Sequence, residues 1–354
     1  MLGAMAQVLQ TFGPAAWENC RVEWSETGPV LEPVSEPFSG YLIPGFVDVH
    51  IHGGFGVDFM SATREDLDHW LIRLRAAGYE ALLPTTVTAS PEAVLAAVER
   101  LPDDPMIQGF HLEGPFISPK FPGAQPPEFI LDPPLAPGPW DAVLDHPHLR
   151  YITLAPERPH ALELILRLQR RGVVVSMGHT DATFEEARRG FEFGATHTTH
   201  TYNAMRGLHH REAGTVGYAL VNPALNTELI YDRIHVCPDA ARVLINAKPI
   251  EALIGISDAT MVAGTPPNRR ATMWGLDVTV GRGEVRLVEN NALAGSAVTL
   301  DEVFRNLATD FGPQIAVYAC CLNPRRILGM VGAPRVWLEL DRDFRLVRRR
   351  EIAP

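Results

Sequence analysis

The sequence predicts an α/β chain: a (β/α)₈ barrel of TIM type, with a small β-sandwich domain built from both chain termini. Three observations carry this. From residue 41 onward, β-rich runs alternate with amphipathic helical stretches. The runs number eight, the count at which a parallel sheet with intervening helices closes on itself. Neither end of the chain follows the alternation. The expected division is therefore 1–41 and 331–354 for the small β domain and 42–330 for the barrel. A length of 354 residues with 46% hydrophobic content suits one large core better than several modules.

In chain order, residues 1–40 hold short strand-like pieces, CRVEWSE and PVLEPVS, among Pro and Gly. The eight expected barrel strands are 41–52, 80–87, 106–113, 150–157, 172–179, 195–201, 227–236 and 252–259. Helix signals lie between them. SATREDLDHWLIRLRAAG opens on a Ser or Thr cap, carries acids in its first turn and stops at Gly78; SPEAVLAAVERL has a Ser-Pro start; DATFEEARRG closes on Gly190. PGAQPPEFILDPPLAPGPW (122–140) is a Pro-rich loop long enough to be functional. TMWGLDVTVGRGEVRLVEN (272–290) reads as a hairpin inserted after the eighth strand, and 300–330 reads as helical. The tail alternates apolar and polar residues around DRD, the pattern of another hairpin. An open doubly wound sheet is disfavoured, because no glycine fingerprint follows the first strand.

A net charge of -11 and a pI near 5.6 argue against nucleic acid and anionic membranes as partners, since both need a basic surface. A small anionic substrate stays open through a few placed arginines. Cys20, Cys237, Cys320 and Cys321 form no CxxC pair, so they are expected as reduced thiols. The opening MLGAMAQVLQTFG lacks the basic start and apolar run of a signal peptide, and no stretch reaches the roughly 18 apolar residues of a membrane span. A cytoplasmic location is expected.

Barrel enzymes place their chemistry at the C-terminal strand ends. Strand one ends in GFVDVHIHGG, where His50 and His52, two residues apart, share one strand face. Strand three supplies His111 and Glu113, strand five His179, strand six His200, strand seven His235 and strand eight Asp258. Imidazoles around one carboxylate form the N/O ligand set of Zn²⁺ or Fe²⁺ rather than of Mg²⁺ or Ca²⁺. The odd spacing of His197 and His200 puts them on opposite faces, so His197 is expected to be structural. His111 lies deeper than Glu113 and is expected to support the site. Asp258 is placed to move protons.

PGFVDVHIHG, HLEGPF, LAPE, GHTDA, THTYNAMRGLHHREAG, IHV, SDAT and LAGSA occur in this order between about residues 41 and 300. In this the chain resembles the N-acetylglucosamine-6-phosphate deacetylases of the amidohydrolase superfamily. The resemblance implies a metal-dependent hydrolase that removes the acetyl group of N-acetyl-D-glucosamine 6-phosphate, by attack of a metal-bound hydroxide with Asp258 as general base and acid. It implies a principal divalent ion at Glu113, His179 and His200. A second is implied at His50, His52, Glu113 and Asp258, with Zn²⁺ or Fe²⁺ expected and Co²⁺ or Mn²⁺ acceptable. The substrate positions implied are Ala124, Gln125, Asn203, Ala204, Arg211, His235, Leu293, Ala294 and Gly295, with Arg211 reaching the neighbouring active site of a homodimer. The group that polarises the acetyl carbonyl stays open between Gln125, a second ion, His111 and His235. From sequence alone, Arg211 fits a phosphate and a surface pair with Glu212 equally well. Two other readings compete. A cyclic-amide amidohydrolase would commonly place a carboxylated lysine at strand four, which here ends LAPE. A non-catalytic sugar-phosphate-binding barrel would have lost the metal ligands or Asp258.

Overall fold

The computed structural model describes residues 7–12, 17–267 and 269–352; the first six residues of the expected non-signal N-terminus lie outside it. Eight short parallel strands form the barrel: β1 Phe46–Ile51, β2 Tyr79–Pro84, β3 Phe110–Glu113, β4 Leu149–Leu154, β5 Val174–Met177, β6 His197–Thr198, β7 Asn226–Ile230 and β8 Leu253–Ile256. Strands β3 to β8 pair in sequence order, β1 pairs with β2, and the bridges Thr85–His111 and Ile51–Ala259 close the ring. Val49, Leu83, Tyr151, Ile230, Ile254 and Ile256 fill the barrel interior. A larger apolar cluster lies between strands and helices; Leu67, Trp70, Leu71 and Leu74 of helix Arg64–Ala76 belong to it. Full burial of each such side chain is worth about 1.5–3 kcal/mol.

The caps follow the sequence signals. Thr63 and Asp66 form a reciprocal capping box, and Ser90 caps the helix that begins with Pro91. The helix expected to close on Gly190 runs over Phe184–Phe193 and ends at Gly194. Gly190 serves packing instead: a Cβ there would stand 2.8 Å from Met177 Sδ and 2.9 Å from Pro156 Cβ, so the helix lies directly on the barrel wall.

The expected first strand is two. Gly40–Pro44 belongs to a separate six-stranded sheet, where it pairs with Gln7–Phe12 on one side and Val336–Leu340 on the other. The chain then turns at Gly45 into β1. A Cβ at Gly45 would lie 2.7 Å from Glu80 Cβ and 2.9 Å from Val336 Cβ, so only glycine lets the two sheets meet this closely. The C-terminal hairpin forms as expected, Val336–Leu340 with Leu346–Glu351, its turn held by Asp341 Oδ1 accepting from the amides of Asp343 and Arg345. The inserted hairpin is larger than expected: Arg269–Met273, Leu276–Val280, Glu284–Leu287 and Leu293–Ser296 make a four-stranded antiparallel sheet with its own apolar cluster.

Candidate metal centre and active site

The C-terminal strand ends converge on a cavity of about 250 Å³, lined by His52, Glu113, Gln125, His179, His200 and Asp258 among others. His179, His200 and Asp258 have left-handed backbone, with φ of 47°, 31° and 48°. The extended chain turns at each of these residues and aims its side chain across the barrel mouth. Non-glycine residues in this conformation carry a cost of about 1–3 kcal/mol and cluster at functional sites. Strand six shows the effect best. The run expected over 195–201 pairs only at His197–Thr198, and His200 reaches the centre from the turn that follows.

The imidazoles share one arrangement. His52 Nδ1 faces the Thr85 carbonyl at 3.1 Å, His179 Nδ1 the Phe121 carbonyl at 2.9 Å and His200 Nδ1 the Asn203 carbonyl at 3.2 Å. His50 Nδ1 faces the Glu228 carboxylate at 3.2 Å. Each of these partners only accepts, so each Nδ1 carries a proton and each neutral ring directs its Nε2 lone pair inward.

Those lone pairs meet carboxylates. His179 Nε2 and His200 Nε2 each lie 3.2 Å from Glu113 Oε1 and 3.1 Å from each other. His52 Nε2 lies 3.1 Å from Asp258 Oδ1 and 3.3 Å from Glu113 Oε2. His50 Nε2 is buried, makes no hydrogen bond, and stands 3.3 Å from Glu113 Oε1 and 3.5 Å from Asp258 Oδ1. Lone pairs facing one another in a buried site repel unless a cation joins them. Two ligands at about 2.1 Å from one tetrahedral ion stand about 3.4 Å apart, so the spacing fits shared coordination. The geometry sorts into two groups, Glu113 with His179 and His200, and His50 with His52 and Asp258. Glu113 touches both. The donor set fits a divalent metal ion.

Without an ion, protons compensate. Burial disfavours the imidazolium, but hydrogen bonds and charges from Asp258 and Glu113 outweigh it, and the His52 pKa rises to about 9. Asp258 is held below its usual value, because the bond to His52 and the charges of His50 and His52 overcome burial.

His111 is not a ligand. Its Nδ1 donates to the Val49 carbonyl at 3.0 Å, and its Nε2 lies 2.8 Å from Thr153 Oγ1, so both nitrogens are spent beneath His50. His197 is buried away from the centre, with Nδ1 at 2.8 Å from Thr196 Oγ1 and its pKa lowered to about 3 by burial.

Gly123, Ala124, Gln125, Asn203, Ala204, His235, Leu293 and Gly295 line the same cavity. Gln125 is locked: its Nε2 donates to Glu113 Oε2 at 2.6 Å and its Oε1 accepts from the Thr88 amide at 2.7 Å. His235 pairs with Asp232 at 2.6 Å; burial lowers its pKa, Asp232 outweighs this, and the net shift is upward. The Ala294 side chain is buried in the apolar cluster of the four-stranded sheet while its neighbours face the cavity. Arg211 lies on an exposed loop beside His210, outside the cavity, and Glu212 instead accepts from the Phe184 and Gly214 amides. Lys120 pairs with Asp181, and Lys248 caps the Ala219 and Asn222 carbonyls; neither lines the cavity.

Two residues of the site carry no clear mark in the sequence. Glu228, fully buried in β7, accepts from Tyr151 Oη at 2.5 Å, from His50 Nδ1 and from the His200 amide, both at 3.2 Å. Its only local signal is a lone carboxylate in the apolar run TELIY. Trp274, in the tight turn of the inserted sheet, also lines the cavity; nothing in the local sequence signals it.

The amidohydrolase family model matches residues 41–333. The N-acetylgalactosamine-6-phosphate deacetylase of Escherichia coli O157:H7 is 36% identical over 313 residues, 86% of this chain and 82% of its own length. The N-acetylglucosamine-6-phosphate deacetylase of Bacillus subtilis is 37% identical over 303 residues, 79% of this chain and 72% of its own. Among solved structures, a mutant N-acetyl-D-glucosamine-6-phosphate deacetylase from Mycobacterium smegmatis in complex with N-acetyl-D-glucosamine-6-phosphate superposes with a TM-score of 0.89, 31% identity, and 99% and 98% coverage. With this match over most of its length, and with imidazoles and carboxylates gathered at its barrel mouth, the chain belongs to the amidohydrolase family.

Proposed function

We propose that this protein is an N-acetylglucosamine-6-phosphate deacetylase: it hydrolyses the amide of N-acetyl-D-glucosamine 6-phosphate to D-glucosamine 6-phosphate and acetate. The observation that carries this is the joining through Glu113 of two groups that could hold a metal ion, with Asp258 lining the cavity, inside a chain whose relatives are named as deacetylases. A divalent ion there, Zn²⁺ or Fe²⁺ by its ligand chemistry, supplies an activated water near neutral pH and polarises the acetyl carbonyl. Glu113, His179 and His200 would hold the first ion; His50, His52, Glu113 and Asp258 would hold the second.

The remaining work falls to the chain itself. Asp258, ionised and open to the cavity, takes the proton of the attacking water and returns it to the sugar nitrogen as the carbon–nitrogen bond breaks. His235, its pKa raised because the pairing with Asp232 outweighs burial, offers an N–H donor to substrate oxygens. Gln125 has one amide hydrogen committed to Glu113 and a second that remains for the substrate. Asn203, Ala204, Leu293 and Gly295 shape the sugar site. Arg211, exposed and outside its own cavity, would bind the phosphate in the partner subunit of a homodimer.

A cyclic-amide substrate is disfavoured by the absence of lysine from the cavity. A non-catalytic barrel is disfavoured by the complete ligand set with Asp258. No helix is long and apolar enough to cross a membrane among the described residues, and the acidic chain fits the cytoplasm. Relatives named for both C4 epimers match at similar identity, so acetate release is to be measured on N-acetylglucosamine and N-acetylgalactosamine 6-phosphates, with and without a chelator. Chelator-sensitive release, faster on the glucosamine epimer, is expected. No release after metal is restored refutes the proposal.

A further inference from the structure

Trp274 occupies a position that its side chain does not favour. With Gly275 it forms the two-residue turn between Arg269–Met273 and Leu276–Val280, and the two residues have φ of 53° and 79°. Turns with two positive φ values select Asn, Asp or Gly at the first position, because a Cβ there crowds the backbone. An indole in this place has to be justified by what it touches. Its Nε1 donates to Asp58 Oδ1 at 3.3 Å, tying the inserted sheet down onto the barrel. Its ring stands edge-on to His52 at 5.5 Å between centroids, and it lines the cavity beside Ala124, Ala292 and Leu293. This makes an aromatic and aliphatic wall next to an imidazole of the metal centre, the indole being the only aromatic carbocycle among the described residues that line the cavity.

An N-acetylated sugar phosphate is polar almost everywhere; its acetyl methyl is its one wholly apolar group. The methyl is bonded to the carbonyl carbon that has to lie at the metal centre, so the apolar wall beside His52 is within its reach. We propose that Trp274 is the wall of the acyl pocket and sets the length of acyl chain the enzyme removes, accepting acetyl and excluding longer chains. This rests on the deacetylase reading and adds to it the residue that limits the acyl group.

The test compares N-acetyl-, N-propionyl- and N-butanoyl-glucosamine 6-phosphate as substrates of the unaltered enzyme, Trp274→Gly and Trp274→Asn. Both replacements suit the positive φ, so the turn is kept and the bulk removed. A methylene against a hydrophobic wall changes discrimination by about 10–200-fold, so the butanoyl-to-acetyl ratio of kcat/KM is expected to rise at least about tenfold in both variants. An unchanged ratio, with both substrates losing equally, overturns the proposal and leaves Trp274 as a clamp for the sheet. Acetate release by the unaltered enzyme tests the reaction separately. Calorimetric binding of the N-butanoyl compound to metal-free protein gives a readout independent of turnover: tighter binding to the variants supports the wall, equal binding refutes it.

Discussion

Replacing Glu228 by Gln tests how the metal centre is built. Glu228 Oε2 accepts from both His50 Nδ1 and the His200 amide, while Oε1 accepts from Tyr151 Oη. A glutamine with its oxygen in the Oε2 position keeps the first two bonds, and the Tyr151 hydroxyl can rotate to accept from the new NH₂. The shape and the tautomer of His50 therefore survive, and only the charge is lost. Second partners of this kind change metal affinity by about 10–100-fold, which is about 1.4–2.8 kcal/mol. Gln, retaining the bonds, is expected near the lower figure. Ala is different. It leaves the Tyr151 hydroxyl, His50 Nδ1 and the His200 amide without a buried acceptor, at about 1–3 kcal/mol each, so both stability and metal binding fall. Competition against a chromophoric chelator gives the affinity, and thermal unfolding of metal-free protein gives the stability. Wild-type metal affinity in Glu228→Gln would refute the view that this carboxylate acts through His50.

Four further outcomes are expected. Asp258→Asn should lower kcat by about 10²–10⁴-fold with the fold intact, and wild-type turnover would remove its proton-transfer role. His235 has a raised pKa, so its charge is full below the ordinary imidazole value and is lost only as pH rises through the higher folded value. KM for the sugar phosphate should therefore rise in alkaline solution, with Asp232→Asn moving that rise to lower pH; the groups facing His235 are Asp232, Asp258 and Arg286, and an unmoved profile would exclude this pair as its cause. Because protons occupy His52 in the metal-free chain, metal loading should release protons and weaken as pH falls, read by titration in two buffers of different ionisation enthalpy. Gly114→Ala should be strongly destabilising, since a Cβ at φ +73° would stand 2.1 Å from Thr88 Oγ1; an unaltered melting temperature would contradict the packing.

The barrel was legible in the sequence because its signals are local: β-rich runs alternating with helical patterns, Thr63 and Ser90 as caps, and chemistry-bearing residues recurring at strand ends. The candidate ligands were legible for the same reason, since His50, His52, Glu113, His179, His200 and Asp258 all lie at or near the ends of the expected strand runs, and the structure gathers them into two groups that could hold an ion. What stayed hidden is non-local. Gly45 and Gly190 face Glu80, Val336 and Pro156, residues that lie more than thirty positions away along the chain. Glu228 looks like one carboxylate in a strand until Tyr151 and His50 surround it. The turn at Trp274 contradicts its own local preference, so propensity alone would assign another residue there.

The junction at Gly45 ties the order of synthesis to the order of assembly. Strand β1, which delivers His50 and His52, is preceded directly by Gly40–Pro44, and that segment is flanked by Val336–Leu340 from the far end of the chain. A nascent chain carries all its metal ligands long before this last neighbour is translated. The His50 and His52 side of the cavity therefore rests on a strand whose neighbouring segment is held by both ends of the chain.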